Sequence, residues 1–166
     1  MMKFNNKGYR WLFDITLIII VIFGVKMWMQ RNVVSGIAPN FNAKLLNGEP
    51  YKLYADTKRP ILIHFWATWC PVCQLEQSNI ENISKSHPVI TIAMKSGNNN
   101  ELKHFIKEEG VSFQVINDED ASLSNLYKIK GVPVSLIVNK ENKIEFIEVG
   151  YTTEIGLRLR LWWAGL

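Results

Sequence analysis

The sequence predicts an α/β domain, a central mixed sheet flanked by helices, with a β-hairpin in front of it and one apolar helix before that. Three observations carry this. Apolar runs rich in β-branched residues at Ile61–Trp66 and Val89–Met94 are each followed by a helical stretch. The alternation then gives way to two strands and a terminal helix, the order of a mixed rather than a purely parallel sheet. Finally, charge is segregated. Residues 1–31 hold five Lys/Arg against Asp14, whereas residues 32–166 hold 14 Lys/Arg and 14 Asp/Glu. The basic character belongs to the N-terminus, so the domain has no electrostatic footing for nucleic acid.

Residues 1–10 are polar and basic, and Trp11–Met29 is a largely apolar run of 19 residues. At 1.5 Å per residue such a helix covers about 28 Å, the thickness of a bilayer core. Its uncharged centre, Ile15–Val25, is short enough to raise the alternative of a cleaved signal peptide. The nearest small-residue pattern, Val34-Ser35-Gly36, lies far downstream, after two positive charges, which argues against cleavage. Asp14 stands one turn from Arg10 and can pair with it, Lys26 can reach outward, and Trp11, Trp28 and Met29 sit at the ends. Three positive charges precede the span and Arg31 follows it, so the expectation is an uncleaved signal anchor across residues 11–29, contacting the lipid bilayer, with residues 1–10 cytoplasmic.

Residues 30–40 read as a polar tether, and 41–166 as the domain. Phe41–Leu46, the Asn47-Gly48 turn and Tyr51–Tyr54 give a hairpin signal. After Pro60 comes the Ile61 strand, then a helix to about Lys85, then the Val89–Met94 strand. Asn98–Glu109 reads as a helix capped by Asn98 and ended by Gly110. Val111–Ile116 is a short strand or approach, and Asp118–Lys128 contains a short helix. Val134–Val138 and Ile144–Val149 form an antiparallel pair around Asn139–Lys143. Thr153–Trp163 is a terminal helix whose Leu157, Leu161 and Ala164 share a face; Leu159, Trp162 and Trp163 widen its apolar surface.

Both cysteines lie where the Ile61 strand gives way to a helix, in Trp69-Cys70-Pro71-Val72-Cys73. With Cys70 at the N-cap, Pro71 takes the first helical position, which its fixed φ and missing N–H suit. The free N–H groups and positive dipole end then stabilise a thiolate at Cys70, while Cys73, one turn inward, is placed to resolve a mixed disulfide. A purely structural C-x-x-C bridge closes too short a loop to stabilise much. A zinc site needs four ligands, and His64, His87 and His104 show no companion spacing. Redox chemistry is the reading that remains, with no metal and no organic cofactor. Glu76 lies on the helical face of Cys73, Ile80 and Ile83, so its carboxyl is expected on an apolar stripe with raised proton affinity, suited to exchanging a proton with the inner thiol. His64, by strand alternation, points with Trp66 and away from Ile63 and Phe65. Buried and neutral, it is expected to share that proton traffic. Trp66 and Trp69 are expected to pack beside the motif.

The run Trp66-Ala67-Thr68-Trp69-Cys70-Pro71-Val72-Cys73 after a hydrophobic strand, with Gly131-Val132-Pro133 downstream, resembles the thioredoxin superfamily. In particular it resembles the membrane-anchored TlpA/ResA-like branch, and within that the suppressor-of-copper-sensitivity protein D (ScsD-like) group. The resemblance covers about Ala38 to Trp163. It implies a thioredoxin-like fold, a cis Pro133 opposite the cysteines, and a substrate surface of Trp69, Pro71, Val132 and Pro133, with Val132 offering backbone groups to a cysteine-containing segment. Glu76 matches the Glu that follows the motif in ResA-like proteins. His64 departs from the pattern, since many thioredoxins carry an aspartate there and relatives in this branch an amide.

What the resemblance implies about function is thiol–disulfide exchange in the periplasm, from the bacterial inner membrane. Cysteine-containing extracytoplasmic proteins are the substrates and a membrane electron donor of the DsbD-like type recharges the protein as a reductase. A disulfide oxidase or isomerase, and a copper(I)-handling protein using both thiolates, remain as alternatives.

Overall fold

The computed structural model describes residues 6–166. The charge of Lys3, the side chains of Lys7 and Arg10, the Arg10–Asp14 pairing and the reach of Lys26 lie outside the described residues and side chains. The chain divides into two units at Asn32/Val33. The first is helix α1 (Asn6–Gln30), in which Trp11–Gln30 is long and apolar enough to cross a membrane by length and composition.

The second unit holds a six-stranded mixed sheet in the order β1-β8-β7-β4-β5-β6. Its strands are β1 (Gly36–Ile37), β4 (Ile61–Trp66), β5 (Val89–Met94), β6 (Gln114–Asp118), β7 (Val134–Val138) and β8 (Lys143–Val149). β4, β5 and β6 run parallel, while β7, β8 and β1 add antiparallel strands on the other side of β4. Such a central strand is covered on both faces, which is why all six residues of β4 are buried. Ile61, Ile63 and Phe65 pack on one face against Phe41, Leu53 and Tyr127; Leu62 and Trp66 pack on the other against α2 (Pro71–Ser84) and α5 (Glu154–Ala164). Fully burying side chains of this size stabilises by about 1.5–3 kcal/mol each, before entropy is counted.

The expected hairpin is present as β2 (Asn42–Lys44) and β3 (Pro50–Lys52), turning at Gly48 with φ 95°. It is tied to the edge of β6 by a bridge from Leu45 to Ile116. Helix α3 (Asn99–Glu109) has the Asn98 cap, completed by Glu101 as a capping box, and ends in a left-handed Gly110. β6 begins three residues later than the apolar pattern suggests. Val111 N–H bonds back to Ile106 O, and the Ser112 and Phe113 N–H groups are taken by the Glu81 carboxylate, at 2.8 and 3.2 Å. Asp118, expected at a helix start, ends β6; its carboxylate accepts the N–H groups of Leu123 and Ser124 in the short α4 (Ser122–Leu126). In α5, Leu157 and Leu161 are buried, while Leu159, Trp162 and Trp163 are exposed.

The stretch read as a tether, 30–40, is corrected from Val33 onward. Val33 and Val34 pack on the core, Gly36–Ile37 pair with β8, and Ala38 is fully buried. The carbonyls of Ala38 and Pro39 accept the hydroxyls of Tyr54 and Tyr127, at 2.7 and 2.6 Å. A two-residue strand made by pairing with β8, far along the chain, leaves no periodic signal. A chain beginning at Asn32 is therefore expected to keep the domain's full thermal stability. One beginning at Asn40 strands both hydroxyls and should lose about 2 kcal/mol, read as a lower denaturant midpoint; equal midpoints would show that β1 contributes nothing.

Candidate active site

β4 ends at Trp66, and the chain turns through Ala67, Thr68 and Trp69 into α2. The turn is fixed by local bonds: Thr68 N–H to Ser96 Oγ (3.1 Å), Gln74 Nε2 to Thr68 O (3.0 Å), and Trp69 Nε1–H to Lys95 O (3.0 Å). Cys70 is the N-cap of α2 and Pro71 the first helical residue. Cys70 and Cys73 are joined as a disulfide, with Cα atoms 5.3 Å apart. Cys70 Sγ accepts the Cys73 N–H at 3.2 Å and lies 3.6 Å from Val132 O. The Val132–Pro133 bond is cis, as is Arg59–Pro60, which no sequence signal marks. Around the sulfurs, Trp69 (57% exposed), Pro71, Val72 and Leu75 (71% exposed) form an open apolar rim. Leu75 went unnoticed in the sequence, where it reads as one more helical leucine.

Beneath the disulfide, Cys73, Glu76, Ile80 and Ile83 are all buried on the inward face of α2. Glu76 Oε1 accepts the Thr152 N–H at 3.3 Å, and Oε2 has no hydrogen-bond partner. Burial pushes this carboxyl up to about 7; the Thr152 bond works against the rise and the negative charge of Glu148 adds to it. The turn after β8 is thus stitched to α2 twice, since Asn79 Nδ2 also donates to Thr152 O at 3.2 Å.

His64 is buried on the α2 side of the sheet, and its Nδ1 lies 2.9 Å from Ser135 Oγ on β7. Burial pushes its imidazole down to about 3, so it is neutral wherever thiols titrate. Any proton passed through His64 therefore runs through the neutral ring rather than through an imidazolium. Its partner Ser135 was legible only as the one polar residue in an apolar strand.

A disulfide at the junction of a central strand and a helix N-terminus, opposite a cis-proline loop in a mixed sheet, defines a thioredoxin-like thiol–disulfide oxidoreductase. The Redoxin family model matches residues 34–156, and the chain belongs to that family. Among its relatives, thiol-disulfide oxidoreductase ResA of Bacillus subtilis is 31% identical over 121 residues, covering 70% of this chain and 68% of that one. A thioredoxin-like protein of Haemophilus influenzae is 27% identical over 150 residues, 89% of each chain. The crystal structure of StoA from Bacillus subtilis superposes with a TM-score of 0.65 at 25% identity, covering 73% of this chain and 95% of StoA.

The two buried titrating groups act on stability with opposite signs. Between about 4.5 and 7 the folded protein keeps a Glu76 proton that the unfolded chain has released, so rising pH destabilises. Between about 3 and 6.5 the unfolded chain holds a His64 proton that the folded protein lacks, so rising pH stabilises. The two oppose each other from 4.5 to 6.5. In denaturant titrations of the oxidised protein, Glu76→Gln should make stability rise across that window and gain on the order of 2–3 kcal/mol over the parent at pH ~8. His64→Asn should instead make it fall across the same window. Parallel profiles for both variants would contradict these assignments.

Proposed function

We propose that the protein is a single-pass protein of the bacterial inner membrane whose thioredoxin-like domain faces the periplasm and reduces selected disulfides in extracytoplasmic proteins. In this reading residues 1–10 are cytoplasmic, 11–29 span the bilayer, and the domain begins at Val33 rather than 41. The apolar α1 and the basic N-terminal residues support the anchor. The resemblance to the TlpA/ResA-like branch supports the reducing direction and a membrane electron donor of the DsbD-like type; the Cys-Pro-Val-Cys centre supports an ScsD-like subgroup.

The observation that carries the chemistry is Cys70 at the N-cap of α2, its sulfur 3.2 Å from the Cys73 N–H and 3.6 Å from Val132 O. As a thiolate stabilised there, Cys70 attacks one sulfur of a substrate disulfide. That bond breaks, and the departing sulfur takes a proton from water. Cys73 gives its proton to ionised Glu76 and attacks Cys70 Sγ, the mixed disulfide breaks, and the second substrate sulfur leaves and takes up a proton. Two electrons have passed to the substrate, and the Cys70–Cys73 disulfide remains for the donor to reopen. Trp69, Pro71, Val132 and Pro133, with Val72 and Leu75, form the surface that receives the substrate segment. His64 packs and orients beneath it through Ser135.

Trapping tests these roles. Cys73→Ser should accumulate mixed disulfides on Cys70, and Cys70→Ser should abolish exchange. Partners found attached through Cys73 would reverse the assignment. The direction is read separately from the reduction potential: a value near about −270 mV fits a reductase, and one near about −120 mV an oxidase.

A further inference from the structure

Glu148 stands on β8 in register with Ser135 of β7, which is in register with His64 of β4. Register partners in neighbouring strands point to the same face, so these three polar side chains form one row under α2 and α5. Each is almost fully buried. The row ends at Arg160 of α5, whose Nε lies 2.8 Å from Glu148 Oε1 and whose Nη1 donates to Gly156 O at 2.8 Å. Three residues past Val149, the end of β8, Thr152 holds Glu76 by its N–H and Asn79 by its carbonyl. Strand β8 therefore links the acid beneath the cysteines to an ion pair at the edge of the sheet. Neither Glu148 nor Arg160 belongs to the motif, and the exchange chemistry alone does not require them.

We propose that Glu148, held in place by Arg160, is a positioning residue of the redox site: its negative charge makes the ionised Glu76 carboxylate a stronger base toward the Cys73 thiol, and Arg160 sets how strongly that charge is felt. An unpaired carboxylate in this row would repel Glu76 at full strength, and a neutral residue would not repel it at all. The ion pair gives an intermediate setting. The burial of Glu76, its unpartnered Oε2 and the field of Glu148 agree with this. The groups facing Glu76 are Cys73 on its own helix, Glu148 from β8, the Thr152 N–H from the turn that follows, and the neutral His64–Ser135 pair in the row with Glu148; Arg160 of α5 acts through Glu148. Glu154 and Arg158 of α5 pair with each other and with Asn82, further along α2, and Ser86, just past its end.

The proposal rests on Glu76 as the proton partner of Cys73, and two readouts on the full chain in detergent separate the two claims. The first is an NMR titration of the Glu76 side-chain carboxyl in the oxidised protein. The second is the pH dependence of Cys73 alkylation in the reduced Cys70→Ser background. Glu148→Gln should move the Glu76 midpoint down by about half a unit, and Arg160→Gln should move it up by a similar amount. Both variants break the same ion pair, so a merely structural role moves them in one direction. Opposite shifts establish the coupling; unmoved midpoints, or shifts of the same sign, overturn it. If the Glu76 midpoints move as expected and Cys73 reactivity does not follow, Glu148 tunes Glu76 but Glu76 does not serve Cys73, and the role proposed here for Glu148 in the redox site is overturned.

Discussion

The capping of α2 by Cys70 is the contact on which the rest of the structure depends. A helix N-terminus leaves backbone N–H groups without partners. Here the Cys73 N–H is met by a cysteine sulfur, with Pro71 taking the next position, where an N–H is not needed. That places Cys70 at the positive end of the helix dipole, and one helical turn brings Cys73 to it. The turn holding them in place is fixed by bonds to Ser96 and Lys95 beyond β5, so the sheet fixes the position of the cap.

The same helix determines what lies beneath the sulfurs. The helix buries five residues, and one of them is an acid. Burying a carboxyl with one weak donor and an unpartnered oxygen costs stability, and the cost appears as raised proton affinity. His64 represents the opposite solution on the strand below. It stays neutral, with its Nδ1 met by one hydroxyl. Two titratable groups on one face of the sheet thus carry opposite pH signatures, and only one of them has a proton affinity that matches thiol chemistry near neutral pH.

Much of this was legible in the sequence, for definite physical reasons. β4 could be read because a strand covered on both faces is apolar throughout, and α2 because proline and the spacing of Cys73, Glu76, Ile80 and Ile83 mark its start and inward face. Asn98 and Gly110 marked α3 by cap chemistry. What escaped notice was made by distant partners. β1 exists because β8 takes up its backbone groups, and the residues just past it are held by the hydroxyls of Tyr54 and Tyr127. β6 starts late because Glu81, more than thirty positions earlier, takes the N–H of Ser112. The environment of His64 was set by Ser135, and that of Glu76 by Thr152 and Glu148, all more than seventy residues away. Alternation showed which way His64 points but could not show how far its proton affinity falls.

The most direct test of the central claim is the pH dependence of alkylation at each cysteine in the reduced protein, resolved by mass spectrometry. Activation by the helix N-terminus predicts that Cys70 reacts first, with a midpoint well below the ~8.5 of a free thiol, while buried Cys73 stays protected until higher pH. Cys73 reacting first, or Cys70 titrating at or above the free-thiol value, would contradict the assignment of Cys70 as the activated nucleophile.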